Sequence, residues 1–174
     1  TDIVDIIDPD DALVETAVQQ LMDAWDENPN SGFIYTNFWY CDAELNKVRP
    51  GFCRDIPTGR SSLDRNFVSH IKSFRCSIYD QTSGYDESIL YAEDKDLVLK
   101  MEEVAPLSFV DEPLYLYRVL PSSQSHGKRR AVGKKSYRLA KRHARARRLR
   151  NGIEMSTAQR LMALIDRMRA DNES

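Results

Sequence analysis

Ser83-Gly84-Tyr85-Asp86-Glu87-Ser88-Ile89-Leu90-Tyr91-Ala92-Glu93-Asp94-Lys95-Asp96 is the stretch on which the reading of this 174-residue chain turns. A glycine turn opens it, a carboxylate pair follows, and a second acidic cluster closes it. Apolar Ile89, Leu90, Tyr91 and Ala92 separate the two clusters. Leu97, Val98 and Met101 then recur at helical spacing, which predicts a short helix over Lys95–Val104 with those three inward. Glu93-Asp94 therefore sits where a loop enters a helix. A carboxylate there faces positive partial charge and is stabilised as the anion, the form a general base must take. The same position also suits a carboxylate that merely caps the helix.

Upstream, Ile3, Val4, Ile6 and Ile7 form a β-branched run that ends at Asp8-Pro9-Asp10-Asp11. Its length and branching predict a strand, and the proline stops it. Asp10 or Asp11 is then placed to cap a helix over Ala12–Glu27, whose inner face carries Leu13, Ala17, Leu21 and Ala24. Carboxylates just beyond a strand's C-terminal end lie where open α/β sheets bind ligands. They suit Mg²⁺ or Mn²⁺, which take oxygen ligands. The alternative is one capping aspartate with solvated neighbours.

Phe33–Cys41 is the most strand-like segment of the chain. Its stripe of Phe33, Tyr35, Phe38 and Tyr40 fits core packing better than a sugar-stacking platform. Asp42–Ser62 is turn-rich and reads as a long surface connection. Phe67–Tyr79 mixes His70, Lys72 and Arg75 with apolar positions and predicts a strand or short helix lining a site. Leu107–Leu120 reads as two strand pieces around Glu112-Pro113. Pro121–Gly127 is a polar turn.

Charge is distributed unevenly. Thr1–His126 has 10 basic residues against 23 acidic, a net of −13, whereas Gly127–Arg150 has 12 basic residues and no acid. Such asymmetry points to an anionic partner for the basic segment. A basic helix is predicted over Lys135–Arg150, ended by Asn151-Gly152. A second helix is predicted over Thr157–Ala170, with Leu161, Leu164, Ile165 and Met168 on one face. Three cysteines without a C-x-x-C pair argue against a zinc or disulfide framework and for a reducing, cytoplasmic setting. No apolar run approaches the roughly 20 residues that span a bilayer. The chain opens directly on a strand pattern without an initiating Met, which suggests a processed or truncated chain.

Taken together, the motifs and their order resemble the second half of a family 2 glycosyltransferase of the GT-A fold. The likeness runs over residues 1–126: a strand into Asp8-Pro9-Asp10-Asp11, then Phe74-Arg75, Ser83-Gly84-Tyr85-Asp86-Glu87, Ala92-Glu93-Asp94, and Pro113-Leu114-Tyr115 through Tyr117-Arg118. It implies a partial Rossmann-like α/β fold, a mixed sheet with flanking helices, followed by a basic helical tail over 127–174. It also implies sugar transfer, with inversion, from a nucleotide-diphospho-sugar to a glycan or lipid-linked acceptor. By the resemblance, Asp10 would hold Mn²⁺ or Mg²⁺ against the donor diphosphate, with Asp8 near the ribose or metal. Gly84, Tyr85, Asp86 and Glu87 would shape the sugar and acceptor pocket, with Glu93, Arg75, His70 and Arg118 contributing. Asp94 would be the general base.

Two departures stand out. The family's metal-touching histidine after the Tyr-Arg strand is Leu120 here, and His126, six residues on, could substitute. The family's first half, with the base-binding strands, does not precede Thr1. A non-catalytic module docking through its basic helix is therefore the first rival reading. The basic segment Lys128–Arg150 has three readings: a solvated helix, attachment to the anionic inner face of a membrane, or phosphate contacts with nucleic acid. Tyr137 is its only aromatic, so stacking on bases is poorly supported and no nucleic-acid partner is expected.

Overall fold

The computed structural model describes residues 2–120 and 127–172. The elements are β1 (Ile3–Ile6), β2 (Ala12–Leu13), α1 (Ala17–Glu27), β3 (Phe33–Cys41), β4 (Lys47–Pro50), β5 (Lys72–Arg75), α2 (Cys76–Tyr79), α3 (Glu93–Glu102), β6 (Leu107–Arg118), α4 (Gly127–Arg150) and α5 (Thr157–Asn172). This is a mixed α/β architecture: one six-stranded sheet flanked by helices, compatible with a partial Rossmann-like GT-A fold.

The sheet runs β1-β5-β3-β6-β2, with β4 paired to the end of β3. β3 is its centre because its residues tolerate burial on both faces. Phe33, Ile34, Tyr35 and Thr36 are all fully buried. β3 and β6 run parallel, and every other pairing is antiparallel. A parallel pair needs a long crossover. Here residues 42–106 supply it, and within that crossover lie β5, α3 and the 83–96 stretch. The expected long connection after β3 thus contains a short exposed strand, β4, that doubles back on β3.

Four boundaries differ from expectation, one of them the start of the basic helix, which lies at Gly127 rather than Lys135. The first helix starts at Ala17, not Ala12, because Ala12 and Leu13 pair with Leu116 and Tyr115 as an edge strand. Neither Asp10 nor Asp11 caps that helix; Thr16 precedes it. Its buried residues are Ala17, Leu21, Ala24 and Trp25, whereas Val18 is exposed. β6 is one strand rather than two pieces. Pro113, which has no N–H to donate, is absorbed by a register shift in which Thr36 opposes Val110 and Asn37 opposes Pro113. α3 begins at Glu93, so the acidic pair forms its first turn.

Two apolar clusters hold the elements. The larger joins α1, the sheet and the inner face of α3, where Leu97, Val98 and Met101 are buried as their spacing predicts. The smaller joins Leu63, Ile89, Ala92 and Leu99 to Ala140 and Ala144 of α4, with Met155 and Ala163. Small residues let α4 lie close against α3. On α5, Leu161, Leu164 and Met168 are exposed instead. Among the described residues no helix is long and apolar enough to cross a membrane, and no disulfide joins the cysteines.

Candidate functional site

A cleft of about 720 Å³ opens where β1 ends, where β5 begins and where α3 begins. The sheet order puts these places together although they are distant in sequence. Asp8 and Asp10 enter from the loop after β1, His70 and Lys72 from the start of β5, and Glu93 and Asp94 from the first turn of α3. α4 closes the far side with Arg130, Gly133, Lys134 and Tyr137. Phe38, Tyr40 and Tyr117 form an aromatic floor. Phe38 and Tyr40 therefore serve both the core and the cleft.

Tyr115 organises the acidic loop. It is fully buried. Its hydroxyl accepts from the Asp8 backbone N–H at 3.0 Å and donates to Asp11 Oδ2 at 2.7 Å. The Arg118 backbone N–H donates to Asp11 Oδ1 at 2.7 Å. Burial nevertheless raises the Asp11 pKa, with these two bonds opposing the rise. The Tyr115→Phe variant strands the Asp8 N–H and one Asp11 oxygen, so it is expected to lose about 1–3 kcal/mol of stability. Urea denaturation measures this, and a variant as stable as wild type would show that the hydroxyl organises nothing.

His70 stacks on Tyr115, with ring centroids 4.3 Å apart, and on Tyr117 at 5.2 Å. Its Nδ1 is buried without a hydrogen-bond partner. Burial pushes its pKa down to about 3, with Lys72 adding to the effect. The folded pKa lies below the ordinary value of 6.5, so the unfolded chain takes up a proton that the folded chain refuses. Stability is then complete above pH 6.5 and falls as pH drops towards 3, at up to about 1.4 kcal/mol per pH unit. In metal-free buffer, wild type is expected to lose stability relative to His70→Gln with that slope. Parallel stability curves for the two proteins would contradict it.

Asp8, Asp11 and His70 each bring one ligand atom within 4.8 Å of the others. A neutral imidazole with an orphaned nitrogen beside two carboxylates suits a divalent cation with oxygen and nitrogen ligands. This set takes Asp11 and His70 where sequence reading named Asp10 and His126. Asp10 lies on the cleft wall but outside the set, and His126 lies outside the described residues.

Asp94 is part-exposed. Its Oδ1 accepts from the Lys95 backbone N–H at 2.8 Å, and its Oδ2 lies 3.8 Å from Lys72 Nζ. Lys72 itself is buried. The carboxylate is thus held at the cleft by a helix start and by a fixed cation. The other expected residues are placed elsewhere. Arg75 packs over Trp25 at 4.6 Å and donates to the Ser31 carbonyl, away from the cleft. Arg118 holds Asp11 through its backbone and the Ala43 carbonyl through its guanidinium. Gly84, at φ +62° where a side chain is disfavoured, offers its carbonyl to Lys100 Nζ at 2.6 Å. Asp86 folds onto Ser88, whose hydroxyl and N–H hold its pKa down, and its other oxygen lies 3.8 Å from His143 Nδ1. Tyr85 and Glu87 are exposed beside the cleft rather than on its wall.

Sequence reasoning gave no site role to Lys72, Tyr115, Tyr91 or the α4 residues Arg130, Gly133 and Lys134, and it took Asp11 only as a helix cap or one carboxylate of the acidic loop. Tyr91 occupies the left-handed region at φ +59°, unusual for a bulky residue, and lines the cleft. The one signal for Lys72 was its place beside His70 in a segment expected to line a site.

No protein-family model matches the chain. A chondroitin synthase of Escherichia coli is 27% identical over 131 residues, which make up 75% of this chain and 19% of that protein. The chain thus covers less than a fifth of its relative's length. The match is distant and partial, and it points to a glycosyltransferase relationship.

Proposed function

We propose that this chain is the acceptor-side portion of a glycosyltransferase that moves a sugar, with inversion, from a nucleotide-diphospho-sugar to a glycan or lipid-linked acceptor. Residues 1–126 carry the acidic and aromatic walls of the site, and the helical segment 127–174 closes it through the N-terminal half of α4. The carrying observation is the convergence on one cleft of Asp8 and Asp10 from one end of the acidic region with Glu93 and Asp94 from the other. The named relative supports the class of reaction and leaves the sugars open.

Asp94 takes the proton of the acceptor hydroxyl as that oxygen attacks the donor's anomeric carbon. Lys72 holds the carboxylate in place from below. Asp8, Asp11 and His70 would hold Mn²⁺ or Mg²⁺, with Asp10 facing the same space. Such an ion supplies Lewis-acid stabilisation of a leaving diphosphate, typically worth several kcal/mol. Tyr115 fixes the loop that presents these ligands. Of the aromatic floor, the part-exposed Tyr40 and Tyr117 offer apolar surface to a sugar ring, with Phe38 buried beneath them.

The test is donor-sugar hydrolysis and transfer with Mn²⁺, comparing wild type, Asp94→Asn and Asp10→Ala. Both variants are expected to be impaired. Equal activity in all three would remove the transferase reading for this chain.

A further inference from the structure

The basic helix divides into two halves by what its cations do. In the C-terminal half, Arg145 Nη2 lies 2.6 Å from Asp166, Arg147 Nε 2.9 Å from Glu103 and Arg148 Nη2 2.7 Å from Glu102. Those charges hold the helix to α5 and α3. In the N-terminal half, Arg130 and Lys134 are exposed, face the cleft and, among the described residues, make no ion pair. Where an acid is within reach this helix pairs with it. At the cleft it does not, although four carboxylates stand across the opening.

The two cations are one helical turn apart, with Tyr137 continuing the same face. Lys95 Nζ sits 5.3 Å from the centre of the Tyr137 ring and adds a third positive charge from α3. The placement of this wall is fixed. Gly133 lies between Arg130 and Lys134, and a Cβ there would come within 2.8 Å of the Tyr91 carbonyl oxygen. Only glycine lets the helix approach the 83–96 stretch this closely, and Tyr91 is itself held in a left-handed conformation. The cleft is therefore bipolar, acidic along the β1 loop and α3, and cationic along α4.

We infer that the N-terminal half of α4, through Arg130 and Lys134 with Lys95, is the anion-binding wall of this cleft. Its ligand is a phosphate or carboxylate group carried by a substrate. That choice of ligand rests on the transferase reading. Two sources share the chemistry: the diphosphate of a nucleotide-sugar donor, and the uronate carboxylates of an acidic glycan acceptor. The helix thus belongs to the site rather than serving only as a solvated or membrane-facing tail.

The experiment is calorimetric titration of the full chain in metal-free buffer with two probes, inorganic pyrophosphate and a galacturonate hexamer. The carboxyl-reduced hexamer is the neutral control. The Arg130→Ser/Lys134→Ser double variant is expected to bind at least one anionic probe on the order of 10–100-fold more weakly. Arg130→Lys/Lys134→Arg should stay near wild type. A loss confined to pyrophosphate identifies the donor diphosphate, and a loss confined to the hexamer identifies the acceptor. If wild type binds neither probe, binds the neutral hexamer equally well, or is matched by the serine variant on both probes, the inference is overturned. The readout needs no turnover. If Asp94→Asn and wild type are equally active while the serine variant loses anion binding, the transferase reading fails and the anion wall stands.

Discussion

Asp94→Asn is expected to lower turnover by about 10²–10⁴-fold with little change in donor affinity. The substitution is close to isosteric. Asparagine keeps an oxygen for the Lys95 backbone N–H, which now donates to Asp94 Oδ1 at 2.8 Å. What it removes is the negative charge and the capacity to take a proton. An interaction needed only as the acceptor hydroxyl is deprotonated affects the transition state and spares ground-state binding. One side effect is foreseeable. Lys72 is buried and lies 3.8 Å from Asp94 Oδ2, so the variant leaves that cation without its nearest carboxylate. Urea denaturation of the same variant separates this from catalysis. Glu93→Gln is the paired control. Glu93 is exposed on the same first turn and lines the same cleft, yet it makes no bond to Lys72. A catalytic Asp94 predicts that Glu93→Gln has a much smaller effect on turnover. Similar losses in both variants would assign the effect to the charge of the cleft as a whole.

Much of this arrangement was legible in the chain. Phe33–Cys41 reads as the most strand-like segment because aromatic and β-branched residues dominate it, and the structure makes it the central, largely buried strand. The acidic pair at the start of α3 and the aspartates after β1 were legible because each ends a short apolar run. The roles of Asp10 and Asp11 were not. Helix-capping rules placed one of them at a helix start, but Tyr115 and the Arg118 N–H, more than a hundred residues away, hold Asp11 instead. Local propensity cannot see an acceptor satisfied across the sheet. The same limit hid Lys72, whose partner Asp94 is local neither in sequence nor in element. It hid the contribution of α4 most completely. A run of arginine and lysine without acids reads as a solvated or surface-seeking helix. The acids that pair with arginines of its C-terminal half, Glu102, Glu103 and Asp166, lie at the end of α3 and on α5.

That balance makes Arg148→Ala the substitution expected to damage the fold most, by about 3–5 kcal/mol at neutral pH. Arg148 is 3% exposed, although it belongs to the most basic segment of the chain. Its Nη2 donates to Glu102 Oε2 at 2.7 Å, and its Nε lies 3.6 Å from Glu103 Oε1. Glu102 also accepts from the Ser62 backbone N–H through both oxygens, at 3.0 and 3.1 Å. Burial raises the Glu102 pKa, and Arg148 is the main influence lowering it again. Without the guanidinium, a buried carboxylate keeps only its backbone donor. An acid whose folded pKa lies above its ordinary value favours the folded state at low pH and loses that advantage as pH rises through the folded pKa. The Arg148→Ala deficit should therefore shrink as pH falls and Glu102 takes up a proton. Adding Glu102→Gln should recover part of the loss at neutral pH, which a double-mutant cycle reads as the coupling between the two side chains. Arg130 and Lys134, on the same helix, should behave oppositely. Those cations are exposed and make no ion pair among the described residues, so their removal should leave the unfolding free energy measured in urea within about 0.5 kcal/mol of wild type. One helix would then carry its stability at one end and its ligand at the other. An Arg148→Ala loss below about 1 kcal/mol would instead make the pair an ordinary surface contact and return α4 to the status of a tail.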